Sequence, residues 1–207
     1  MDQIRNNKEE VPFSYYLERF RALDPAETAA RLNIPFDGEA FTMTLLARTY
    51  RISYPDYAIF CDTADAPALK KLSAQTFLLR YLLEGKYLPD AGSWKTFREM
   101  PWGEVYVQPF TGRCLNRCAF TFGGKLPAFC RACEALGGKK ISHADAGYEI
   151  PLIGPYRMRV MIWDGDDEFP PSAQILYSDN FALGFTAEDR VVAGDLLLGA
   201  LCQAMYG

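Results

Sequence analysis

The sequence predicts an α+β fold: a mixed or largely antiparallel sheet with packed helices, in a single domain over residues 1–207. Three observations carry this expectation. Alternation of apolar and polar residues, the period of a half-buried strand, occurs in two groups, near residues 41–61 and 139–177. Apolar residues three and four apart, the period of a buried helix face, fill the stretches before, between and after those groups. The 207 residues are 49% hydrophobic and 23% charged, an ordinary globular balance, and no repeat, low-complexity tract or linker divides them. A chain of this length buries roughly 70% of its unfolded surface without needing disulfides or a structural metal.

The elements follow in order. A first helix is expected from Pro12, with Tyr16, Leu17, Phe20 and Leu23 at helical spacing. Asp24-Pro25 reads as a cap followed by a first-turn proline, with Glu27 three residues after the cap, and opens a short helix through Leu32. Phe41, Met43 and Leu45 alternate with Thr42 and Thr44; Tyr50 and Ile52, and then Tyr57 to Cys61, continue the pattern as an antiparallel meander. Asp65 and Pro67 open a long helix with Leu69, Leu72, Thr76, Leu79 and Leu83 on one stripe, stopped by Gly85. Pro89 to Gly103 reads as an aromatic-rich loop. Val105 to Phe122 and Leu126 to Leu136 read as helices, each broken by a Gly-Gly pair. Strands are expected at Lys139–Ser142, Tyr148–Ile153, Arg157–Trp163 and Ala173–Tyr177. Thr186 caps a last helix with Glu188 and Asp189 in its first turn, where the helix dipole favours negative charge. Its buried stripe is Val191, Leu198, Leu201, Cys202 and Met205.

The formal net charge of −4 gives no general attraction to phosphate backbones. The densest basic stretch (Arg113, Arg117, Lys125, Arg131, Lys139, Lys140) is sparse, so nucleic acid is not an expected partner. The N-terminal text has no apolar run behind its charges, and Leu196–Tyr206 is too short to span a bilayer. The expectation is a cytoplasmic protein without a membrane partner, meeting a protein or a small molecule. Its six cysteines are then thiols or metal ligands rather than disulfides.

Cys114, Cys118, Cys130 and Cys133 form the sharpest chemical pattern, C-x3-C-x11-C-x2-C. Residues three or four apart share a helix face, so each pair can offer two thiolates to one ion. The turn at Gly123, Gly124 and Pro127 can bring the pairs together. Four thiolates suit zinc or an iron–sulfur cluster, and Arg113, Arg117 and Arg131 nearby favour the thiolate form. The same spacing also describes four small residues facing a core. Cys61 and Cys202 read as core.

Asp164-Gly165-Asp166-Asp167-Glu168 follows a strong strand. Asp164, Asp166, Asp167 and Glu168 can supply the oxygen ligands that hard cations take, but their order does not fit a calcium loop. An Asp- and Gly-rich turn at a strand end is the alternative reading. Trp94 and Trp102, with Phe97 between them, can wall a pocket or pack over the core. The single histidine, His143, cannot pair with Ser142, because neighbours on a strand point to opposite faces. No phosphate-binding glycine loop occurs, and no catalytic residue is named by any motif.

Taken together, Trp163 to Pro170, Ala173-Gln174-Ile175-Leu176, Thr186-Ala187-Glu188-Asp189 and Gly194-Asp195 resemble a prokaryotic family described only as domain of unknown function 3786. Leu23-Asp24-Pro25, Asp37-Gly38, Tyr81-Leu82-Leu83, the Trp94–Pro101 segment and Leu136-Gly137-Gly138 extend the resemblance over nearly the whole chain. It implies no defined reaction and no catalytic residues. It implies an origin mostly in anaerobes, with members that carry or accompany iron–sulfur modules, and hence an accessory role in a redox or corrinoid-related setting. Two functional expectations result. One is a metal- or ligand-binding accessory module. The other is an enzyme whose site joins the acidic turn 164–168 to the aromatic loop 94–102.

Overall fold

The computed structural model describes residues 7–63 and 69–206. The fold is α+β, and among the described residues every strand pairing is antiparallel. The chain divides into two compact units, residues 1–44 with 48–87, and residues 45–47 with 88–207.

The first unit places helices α1 (Asn7–Arg21), α2 (Pro25–Leu32) and α3 (Leu72–Glu84) with strands β1 (Ala40–Leu45), β2 (Arg48–Ser53) and β3 (Ile59–Cys61). Helix α1 starts before Pro12, which lies inside it. The polar first turn with Glu9 and Glu10 suits the positive end of the helix dipole but adds nothing to an apolar stripe, so the period hid it. Asp24 caps α2 through the N–H groups of Ala26 and Glu27, as its sequence predicts. Arg31 on α2 donates to the carbonyls of Leu82 and Gly85, satisfying acceptors that the end of α3 leaves open. The meander is present, but Tyr57 has φ +60°, outside the extended region, and β3 begins only at Ile59. The expected helix opening at Asp65 and Pro67 lies outside the described residues. Phe20 centres the core, edge-on to Tyr57 at 5.2 Å and Tyr54 at 5.6 Å.

In the second unit, β5 (Lys139–Lys140), β6 (Ala146–Ile153), β7 (Tyr156–Trp163), β8 (Ser172–Ser178) and β4 (Trp94–Thr96) pair in that spatial order. Strand β4 arises within the expected loop. It is three residues long, too short to show a period, and pairs Trp94 with Ser178 and Thr96 with Leu176. One sheet face carries Tyr148, Ile150, Met158, Val160, Ile162, Ile175 and Tyr177, all buried. The expected helix from Val105 to Phe122 is α4 (Gly103–Phe110), a π-helical turn (Thr111–Asn116) and α5 (Arg117–Phe122). Helix α6 (Leu126–Ala135), a short α7 (Phe181–Gly184) with no counterpart in the sequence reading, and α8 (Ala187–Tyr206) complete the unit. Thr186 and Asp189 form a reciprocal cap at the start of α8. Most of α8 is buried on every side, as a helix without a polar face must be.

The opposite sheet face is polar. Glu149 accepts hydrogen bonds from both Arg157 and Arg159, Arg157 also pairs with Asp90, and the Arg159 guanidinium lies 4.0 Å from the Trp94 ring centre. Two cations and two carboxylates close on one another there, leaving a neutral clamp rather than a charged site.

Candidate functional site

The four cysteines lie along α6 and the helix formed by the π turn and α5. Cys114, Cys118 and Cys133 are fully buried, and Cys130 is half-buried. Burial pushes the Cys114 and Cys118 thiols each up to about 12 and raises that of Cys133 further. Arg113 and Arg117 pull Cys114 the other way, but they are engaged by Asp195 on α8, whose own charge opposes them. Cys114 therefore keeps its proton and donates it to the Val191 carbonyl at 3.6 Å. The π turn brings Cys114 so close to α8 that a Cβ on Gly194 would stand 2.7 Å from its sulfur. Cys130 neighbours Tyr148, whose hydroxyl donates to Glu134 at 2.9 Å. Among the described residues no three Cys, His, Asp or Glu side chains gather in a group that could hold a metal ion. Cys61 and Cys202, expected in the core, are both half-buried.

The two tryptophans are separated. Trp94 sits on β4 against Arg157 and Arg159, whereas Trp102 is 74% exposed with φ +61° at the start of α4. Phe97 between them stacks on Phe110 at 4.3 Å and under Arg190, a buried guanidinium that donates to the carbonyls of Thr186 and Pro101. An open depression of about 390 Å³ lined by Ala29, Ala30, Asn33, Ile34 and Pro35, and another of about 410 Å³ beside Tyr57, Ile59 and Gln75, both lie in the first unit. Neither includes the tryptophans or the acidic turn.

The acidic turn has the most defined geometry of the expected sites. It joins β7 to β8, and residues 163–170 are all exposed. Asp164 accepts from the N–H of Gly124 at 2.6 Å and of Gly165 at 3.0 Å, while its own N–H donates to Asp145 at 2.8 Å. Asp166 accepts from the N–H of Phe169 at 2.7 Å and of Glu168 at 2.9 Å, and its own N–H donates to the Phe169 carbonyl. Those N–H donors, that of Phe169 first, hold the Asp166 carboxyl below its usual range. A Cβ on Gly165 would stand 2.8 Å from Pro171, and one on Gly123 2.6 Å from it, so the loop closes on itself and on the end of α5. Asp164 and Asp166 thus face separate sets of backbone donors and do not converge on a shared cavity.

The solvent-exposed surface of this region includes apolar side chains beside its carboxylates. Phe169 is 67% exposed, Trp163 38%, and Phe120, one helical turn before Gly123 on the same side of α5, 68%. Cys118 and Phe122, four apart on α5, share its buried face, and Phe120 between them falls on the opposite side. Its exposure is thus what the 3.6-residue period of α5 gives. The signal that could have found Phe169 is its place between an Asx-type turn and two prolines, where no strand or helix can bury it.

Among the described residues, no helix is long and apolar enough to cross a membrane. The model of the family described as domain of unknown function (DUF3786) matches residues 24–200. No curated protein and no solved structure matches the chain.

Proposed function

The chain belongs to the DUF3786 family, and on that premise we propose that it is an accessory module that docks a protein partner on the tip of its second unit. The tip comprises the β7–β8 connection and the adjoining end of α5. The observation that carries this reading is Phe169, whose backbone N–H and carbonyl are both tied to Asp166 while its ring stands two-thirds exposed. A single exposed phenylalanine is ordinary on a protein surface. One fixed in place by its own turn presents apolar area already organised for contact, so little ordering entropy is lost on binding.

This reading replaces ion binding by Asp164, Asp166, Asp167 and Glu168 with two separate roles. Asp164 and Asp166 build the turn, and Asp167 and Glu168 set its charge. Cys114, Cys118 and Cys133 serve as protonated packing, and Cys130 as a half-buried neighbour of Tyr148, fixing α5 and α6 beneath it. Redox or corrinoid chemistry, where the resemblance implies it, belongs to the partner. Trp94 acts in the clamp that holds β4 on the sheet, and Trp102 has no part in the tip.

The test is a photoreactive residue placed at Phe169, with the same residue at exposed Val11 in the first unit as the control. The recurrent cross-linked protein is then purified and titrated. The reading requires a partner captured from position 169 and not from 11, whose affinity for the purified chain falls at least about tenfold on Phe169→Ala. Identical products from both positions, or an unchanged affinity, would overturn it.

A further inference from the structure

Resting on the docking reading above, we infer that the segment seated on the tip is cationic, an extended stretch of protein carrying Lys or Arg beside an apolar side chain. The apolar side chain meets Phe169. The positive charges meet the carboxylates beside it in the turn.

The charge of the turn is one-sided. Asp164, Asp166, Asp167 and Glu168 belong to the tip, Asp145 is hydrogen-bonded to it, and all five are exposed. The bonds that build the turn do not neutralise them. The donors to Asp145, Asp164 and Asp166 are backbone N–H groups, which carry no net charge to cancel a carboxylate's. The nearest cation on the joining segment, Lys125, is directed to Tyr206, whose hydroxyl it meets at 3.0 Å and whose ring it overlies at 5.7 Å. Carboxylates beside Phe169 repel phosphate, so the field that favours a cationic chain disfavours nucleic acid and anionic lipid headgroups. The apolar side chain gives the contact its area, and the carboxylates give it sign, register and speed of encounter.

The experiment uses the full chain and three synthetic peptides of equal length, alternating Leu-Lys, Leu-Ser and Leu-Glu, followed through the amide resonances of Gly124, Gly165 and Phe169. The Leu-Lys peptide should shift these resonances and bind at least about tenfold more tightly than Leu-Glu. That preference should shrink as salt rises from about 0.05 M to about 0.5 M. The double variant Asp167→Asn, Glu168→Gln should reduce the preference several-fold with unchanged thermal unfolding, because the turn's described hydrogen bonds run through Asp164 and Asp166. Phe169→Ala should weaken all binding at the tip. Equal binding of the three peptides would overturn the cationic partner while leaving the docking reading intact. Silence from all three would also overturn it, and the cross-link from position 169 then decides the docking reading separately. Leu-Lys binding that shifts the whole surface, indifferent to Phe169→Ala, would reduce the effect to general charge and refute the inference.

Discussion

Gly194→Ala is the substitution whose sign the structure determines most sharply. Gly194 lies inside α8, where an alanine in place of glycine ordinarily stabilises a helix by roughly 0.5–1 kcal/mol. Here the added Cβ would sit 2.7 Å from the Cys114 sulfur, with the Cys114 Cβ at 3.4 Å and Phe110 at 3.7 Å behind it. Cys114 is fully buried on the π turn and cannot swing into solvent. Overpacking of this kind costs typically about 1–3 kcal/mol, so the net effect is a destabilisation of about 0.5–2 kcal/mol. In a Cys114→Ala background the sulfur is gone and the nearest remaining contact is ordinary van der Waals distance. There Gly194→Ala should stabilise by up to about 1 kcal/mol. Urea unfolding of the four proteins of this cycle measures the coupling, expected at about 1–3 kcal/mol with unchanged m values. Equal destabilisation in both backgrounds would refute the close approach of the π turn to α8, and with it the account of Cys114 as a packed thiol.

Further outcomes follow from the same geometry. Cys114 and Cys118, pushed up to about 12 from ordinary values near 9, are protonated in the fold. Their contribution to stability is complete below the unfolded value and is lost as pH rises from about 9 toward 12, at about 1.4 kcal/mol per pH unit per thiol. Alkaline unfolding followed by circular dichroism should therefore begin in that window, and begin later in Cys118→Ala. Anaerobically purified protein should carry zinc and iron far below one per chain by elemental analysis; one metal per chain, lost on Cys130→Ser with Cys133→Ser, would return the four cysteines to a metal site. Gly123→Ala, which would set a Cβ 2.6 Å from both Pro171 and the Ala119 carbonyl, should shift the amide resonances of Gly165 and Phe169 and loosen the tip.

Much of the fold is legible in the sequence because it rests on short-range rules. The Asp24 cap, the alternation of Met158, Val160 and Ile162, and the Thr186–Asp189 cap each declare themselves within four residues. The parts that stayed hidden depend on phase or on partners far along the chain. The π turn at Thr111–Asn116 lies within one continuous helical stretch, where Pro109 and Gly112 mark an irregularity without saying that it adds a residue to the turn before Cys118. Strand β4 exists only because β8, some 80 residues on, offers it an edge. The acidic turn is legible as a turn and as a carboxylate cluster, but which backbone N–H groups Asp164 and Asp166 accept from, those of Gly124 and Phe169 among them, depends on the folded loop and is not in the residue order.

The central claim is that the tip is a docking surface organised around Phe169, and the affinity of the partner cross-linked at that position tests it most directly. A fully buried phenylalanine removes about 150–250 Å² from water, and with 67% of Phe169 still available about 100–170 Å² remains to be covered by a partner. At about 25 cal/mol per Å² this is worth at most about 3–4 kcal/mol, or a few hundredfold in affinity. Phe169→Ala should therefore weaken binding by about 10- to 100-fold while leaving thermal unfolding within about 0.5 kcal/mol of wild type, as an exposed side chain should. Unchanged affinity in a variant that folds normally would contradict the account.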